Sequence, residues 1–111
     1  MGSYAAGDVV LAPIRFPDGG QKIRPAVVVA VREDGSLIAC PVSSKPPSDM
    51  PSMPLSLPDF ARGGLDLLDE SYVLARPCTL RSPEVVAKKG RLTAGALAAV
   101  AMMAQNGQNR R

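Results

Sequence analysis

Histidine is absent from this 111-residue chain. That removes the commonest general base near neutral pH and the commonest transition-metal ligand. Tryptophan is absent as well, and aromatic residues make up only 4%. The core must therefore come from Val, Leu, Ile, Ala and Met. Cysteine is scarce: Cys40 and Cys78 are too few for a zinc site and allow at most one disulfide. Both fall in segments with strand character, so buried thiols in a reducing compartment are expected. Long hydrophobic runs are missing too. The longest uncharged apolar stretch, Leu92 to Ala104, is too short as a helix to cross a hydrocarbon core of ~30 Å. The N-terminal residues Met1 to Ala6 show neither a basic flank nor an apolar core, so no secretory signal is read there. A soluble cytoplasmic protein without metal, cofactor or membrane segment is the expectation.

What is present bounds the rest. At 46% hydrophobic and 21% charged residues, the chain can bury a core, and its length fits a single domain over 1–111. Thirteen Lys and Arg against ten Asp and Glu give a net charge of +3. That balance leans weakly toward a phosphate-bearing partner.

The chain reads mainly as short strands divided by turns. Asp8 to Ile14 is a first strand, closed by the turn signal Pro17-Asp18-Gly19-Gly20. Arg24 to Val31 is β-branched and does not alternate, which predicts a strand buried on both faces, with Pro25 marking its start. Glu33-Asp34-Gly35-Ser36 predicts a tight hairpin returning through Leu37 to Val42. A Pro- and Ser-rich surface loop follows from Ser43 to Met53. Met53 to Leu57 reads as an edge strand, Pro58 to Arg62 as one helical turn ending at Gly63-Gly64, and Ser71 to Ala75 and Pro77 to Leu80 as late strands. Thr93 is placed to cap a closing helix over Ala94 to Gln105, stopped by Asn106-Gly107. On it Leu97, Val100 and Ala104 form the packing stripe and Met102 faces away. Lys88-Lys89-Gly90-Arg91 has two readings, a solvated turn before the helix or a nucleic-acid patch. Five to seven strands and a terminal helix make a small, partly open antiparallel barrel.

Five segments, in order, resemble the MazF/PemK (Kid) family of toxins from toxin–antitoxin pairs. They are Gly7-Asp8-Val9-Val10-Leu11, Arg24-Pro25-Ala26-Val27-Val28-Val29, Ile38 to Ser44, Ser71-Tyr72-Val73, and Lys88 to Thr93. The resemblance covers about residues 7–100. It implies a mainly β fold, an SH3-like antiparallel β-barrel with a C-terminal α-helix, paired as a homodimer. It further implies a metal-independent endoribonuclease that cuts single-stranded RNA, leaving a 2′,3′-cyclic phosphate and a 5′-hydroxyl, and an antitoxin protein that neutralises it.

Cleavage by the RNA's own 2′-hydroxyl requires removal of the attacking proton, stabilisation of the phosphorane and protonation of the leaving oxygen. By resemblance, Arg24 is the catalytic arginine; by composition alone it is a strand-entry residue with a solvated head. Ser43 stands where the family carries a catalytic Thr, or simply starts a loop, and Ser44 is its neighbour in case the register differs by one. The family's Glu position is occupied by Gly19. Asp18, next to it, is either a substitute base or a turn former. The His and Arg-x-Asp used by other members are missing, since the matching triplet is Leu74-Ala75-Arg76. Arg15, Lys22 and Arg76 are candidate phosphate contacts, with Arg81 beside them, and Phe16 is the candidate stacking platform. Two other readings stay open, a barrel that binds RNA or antitoxin without cleaving, and a CcdB-like gyrase poison.

Overall fold

The computed structural model describes residues 4–15, 20–45, 47–48, 50–63 and 71–108. Among these, eight strands and one α-helix are formed. The strands are β1 (Asp8–Arg15), β2 (Gln21–Val31), β3 (Leu37–Ser43), β4 (Ser52–Leu55), β5 (Phe60–Gly63), β6 (Ser71–Leu74), β7 (Cys78–Leu80) and β8 (Ala87–Leu92), and the helix is α1 (Ala94–Gln108). They make one curled antiparallel sheet in the order β4-β6-β3-β2-β1-β8-β5, with β7 on the edge of β3 beside β6.

The missing alternation in the central strands has a direct cause: both faces of the sheet are covered. Val9, Val27, Cys40 and Val42 join Leu55, Val73, Leu92 and the helix residues Ala96, Val100 and Ala104 in one core. Their strand neighbours Val10, Ala26, Val28 and Ala39 join Ala12, Ile14, Leu37 and Leu80 in a second core on the other face. With side chains alternating between faces, each strand must be apolar at consecutive positions to feed both cores. The expected hairpin forms, with Gly35 at φ 88° and Asp34 accepting from the amide and hydroxyl of Ser36. Thr93 Oγ1 accepts from the Ala96 amide at 3.1 Å, as a helix cap should.

Several boundaries differ from the sequence reading. Pro25 does not start β2. The strand begins at Gln21, and Pro25 pairs with Leu11 just where β2 runs beyond its contact with β3. A residue without an amide hydrogen is tolerated there because one edge of β2 is open. Residues 58–62 are not one helical turn. A short 3-10 turn, Leu57–Asp59, closed by the Ser56 amide on the Asp59 carboxylate at 2.8 Å, runs straight into β5. The edge strand β4 lies at Ser52–Leu55 rather than Met53 to Leu57, and α1 continues to Gln108, past the expected stop at Asn106-Gly107. On α1 the buried stripe is Ala96, Val100 and Ala104; Leu97 is only half-buried and Met102 is exposed.

The largest difference is β8. Lys88 to Arg91 is neither a turn nor a free basic patch but the middle of a strand bonded to β1 and β5. Its cations have a partner that patterning hides. Asp8 is fully buried, and its carboxylate meets Arg91 at 2.8 Å and Lys88 at 3.3 Å while accepting from the Ala5 amide at 2.8 Å. The Gly7 amide donates to Val28 and the Gly7 carbonyl accepts from Leu92, so the Gly7-Asp8 pair ties β1, β2 and β8 together. On the far edge of β8 only glycine fits at position 63. Its φ is 61°, and a Cβ there would collide with the Lys89 carbonyl oxygen.

Candidate functional site

Arg24 lies on β2 opposite Ala12, and Lys22 opposite Ile14, so both cations stand on the face that carries the second core. Both are exposed. The β2–β3 ladder ends at Ala26 and Pro41, although β2 continues back to Gln21 and β3 on to Ser43. Extending the same register by two residues sets Arg24 across from Ser43. The β2–β3 pairing has ended at that point, and on its other edge Ser43 pairs with Tyr72 of β6. Continued in that register, Arg24 and Ser43 share one face of the sheet, beyond the last paired residues of β2 and β3.

Ser43 is half-buried, and its hydroxyl oxygen accepts from the Lys45 amide at 3.2 Å. That bond fixes the oxygen and leaves the hydroxyl proton to be donated elsewhere. Ser44 follows β3 and is exposed. Among the described residues no carboxylate pairs with Arg24; the ion pairs there are those of Asp8. Phe16 and Asp18 lie outside the described residues. Four of the five described carboxylates are engaged in structure: Asp8 in its ion pairs, Asp34 in the hairpin, and Asp59 and Glu84 on the Ser56 and Arg81 amides. Glu33 is exposed at the hairpin. A base of the carboxylate type is thus not supplied beside Arg24 by any of these four.

Arg15 and Arg76 come together elsewhere on the surface. Arg76 Nη2 donates to the Arg15 carbonyl at 3.0 Å, linking the end of β1 to the segment before β7. They line a pocket of about 470 Å³ with Gln21, Cys78, Arg81 and Glu84. Arg24 and Ser43 do not line it. The thiol in this pocket is poorly ionised, because burial pushes Cys78 upward, against a pull from Arg76. Cys40, fully buried, is pushed up to about 12 by burial and by the neighbouring Cys78. Both cysteines are free; Cys40 is buried as expected, whereas Cys78 is only half-buried.

A second pocket, about 450 Å³, lies beyond β7 and is lined by Arg32, Asp34, Ser36, Thr79, Arg81 and Ser82. Arg32 escaped the sequence reading. Its only signal was its place immediately before the Glu33-Asp34-Gly35-Ser36 turn, which directs a hairpin but says nothing of the β7 segment that packs alongside it.

No family model and no curated protein matches the sequence. Solved structures do. The chain is similar to Mycobacterium tuberculosis toxin MazF-mt6, with 18% identity over 92% of this chain and 98% of that one, at a TM-score of 0.61. It is also similar to a chain in the crystal structure of MazE-MazF from Deinococcus radiodurans. That match has 21% identity over 99% and 100% of the two chains and a TM-score of 0.62. The fold is that of MazF toxins. The MazF-like chain is mostly strand, a curled antiparallel sheet with one terminal helix, as the sequence led us to expect. Among its described residues, no helix is long and apolar enough to cross a membrane.

Proposed function

We propose that this MazF-like chain is the toxin of a toxin–antitoxin pair and acts as an endoribonuclease on single-stranded RNA. The observation that supports the reading is that the β2–β3 pairing stops at Ala26 and Pro41, in a register that sets Arg24 and Ser43 on one face just beyond it. The Arg24 guanidinium, exposed and without a carboxylate partner among the described residues, forks two donors onto the non-bridging oxygens of the scissile phosphate. As the 2′-oxygen attacks phosphorus, negative charge grows on those oxygens, and a fixed guanidinium stabilises it more than it stabilises the ground state. Ser43 donates its free hydroxyl proton to the same phosphate, held in place by the Lys45 amide. The bond from phosphorus to the 5′-oxygen breaks and that oxygen takes a proton from water, leaving a 2′,3′-cyclic phosphate and a 5′-hydroxyl. Asp18 is our candidate to accept the 2′-hydroxyl proton, and Lys22, Ser44, Arg15 and Arg76 to hold flanking phosphates, with Phe16 stacking on a base.

The active form in this reading is a cytoplasmic homodimer, and its natural inhibitor is an antitoxin. The match to a chain from a MazE-MazF structure supports a protein partner of that kind. The test is direct: purified protein is incubated with a long RNA in EDTA. Discrete fragments with cyclic-phosphate ends, absent with Arg24→Ala, support the proposal, and intact RNA in the presence of folded protein refutes it.

A further inference from the structure

The two pockets are neighbours that share Thr79 and Arg81 in their linings, making a two-part groove at β7. Arg15 and Arg76 stand at one end of it, Arg81 in the middle and Arg32 at the other end, on the hairpin. Among the described residues none of these four guanidiniums has a carboxylate within ion-pair distance. Two acids lie along the groove, each hydrogen-bonded to a backbone amide, and Asp34 also feels the charge of Arg32. Glu84 binds the Arg81 amide at 2.8 Å, and Asp34 accepts from Ser36 at 2.7 and 2.9 Å. We propose that this groove binds the sugar–phosphate backbone of a single RNA strand, with Arg81 and Arg32 engaging phosphates remote from the cleavage centre.

Three features argue for a nucleic-acid strand over an acidic peptide. Guanidiniums spaced along a groove, with no ion pair among the described residues, match a repeated phosphate charge. Each half of the groove has the volume of an ordinary ligand site, so the whole takes more than one nucleotide. A docking peptide also needs apolar anchors, yet the exposed large apolar residues Ile23, Val31, Leu57, Val86 and Met102 all lie outside the groove lining. The inference rests on the proposed function, since it extends the RNA path of that reading beyond the cleavage centre.

The experiment measures anisotropy of a fluorescent, uncleavable 2′-O-methyl RNA of mixed sequence, ten nucleotides long, over a series of KCl concentrations. The comparison is wild type, Arg32→Ala/Arg81→Ala, and Arg62→Ala on β5 as a control for lost charge. Each phosphate contact removed should flatten the plot of log affinity against log salt by about 0.7, hence by about 1.4 for the double variant. The Arg62 variant and a trinucleotide probe should show no such change. An unchanged slope in the double variant, or equal loss in Arg62→Ala, overturns the groove. So does binding of an oligoglutamate peptide that depends on Arg32 and Arg81 while the RNA slope does not. Failure of the nuclease reading looks different: the slope effect remains, but Arg24→Ala cleaves RNA as well as wild type.

Discussion

At the scale of single residues, two polar side chains in the segments that carry the family resemblance have opposite surroundings. Asp8 sits in the segment that carries the family resemblance, yet its carboxylate is buried and occupied by Lys88, Arg91 and the Ala5 amide. It holds β8 onto β1 and reaches no solvent. Asp8→Asn should therefore lower stability by about 1–3 kcal/mol, the range for a lost charged hydrogen-bond set whose cations can still be hydrated. Chemical denaturation measures that loss. RNA cleavage per folded molecule should stay unchanged; a hundredfold fall in turnover with stability intact would instead make Asp8 part of the chemistry. Ser43 lies at the other extreme, half-buried at the end of a strand with its proton uncommitted. Ser43→Ala should slow cleavage by about 10- to 100-fold, the weight of one hydrogen bond to a charged group. Ser43→Thr should retain activity, because the hydroxyl is kept. Equal rates for Ala and wild type would leave Ser43 as a loop starter only.

At the scale of elements, legibility followed burial. The strands β1, β2 and β3 could be read from their Val, Ile and Ala runs, because residues feeding a core on each face are apolar without interruption. β8 could not. Its sequence, Ala87-Lys-Lys-Gly-Arg-Leu92, buries only its last residue, and what makes it a strand is backbone pairing on both sides plus an ion pair to a residue some eighty positions away. Charge patterning within a short window holds no trace of such a partner. The helix end was misplaced for a related reason: Asn-Gly disfavours helix only weakly, and the turn it signals was not taken. The helix start was legible because the Thr93 cap is local chemistry. Thr93→Ala should cost about 1 kcal/mol and lower the melting temperature by about 4–8 °C. Calorimetry checks it, and no shift would mean that packing on the sheet alone sets the helix start. The candidate site was legible in part. Arg24 and Ser43 are candidates through the family resemblance of their segments, whereas the Arg32–Arg81 groove depends on β7 folding beside the hairpin, which no local pattern encodes.

At the scale of the whole molecule, the fold is a sheet with a core on each side, and its stability should carry the mark of a thiol sealed in one of them. Cys40 has its ionisation pushed up to about 12 by burial, against an unfolded value near 9. Below pH 9 both states hold the proton and the group has no influence. Between 9 and 12 the unfolded chain loses it and the native chain keeps it, so stability falls by at most about 1.4 kcal/mol per pH unit on this account. Cys40→Ala should be less stable at pH 8, through lost packing, and should lose less on going to pH 10.5. Parallel curves for the two proteins in urea titrations at both pH values would show that Cys40 is not the group responsible.

The same two-cored sheet is what sets β2 and β3 side by side as far as Ala26 and Pro41, and the chemistry proposed for the molecule stands or falls just beyond that last pair. The decisive measurement is the rate of cleavage of a long single-stranded RNA in EDTA by wild type and by Arg24→Ala of equal melting temperature. The account predicts discrete products with 2′,3′-cyclic phosphate ends and a rate lower by about 10²- to 10³-fold in the variant, the size of losing one charge-stabilising group in the transition state. Equal rates, or no cleavage by the well-folded wild type, would contradict it.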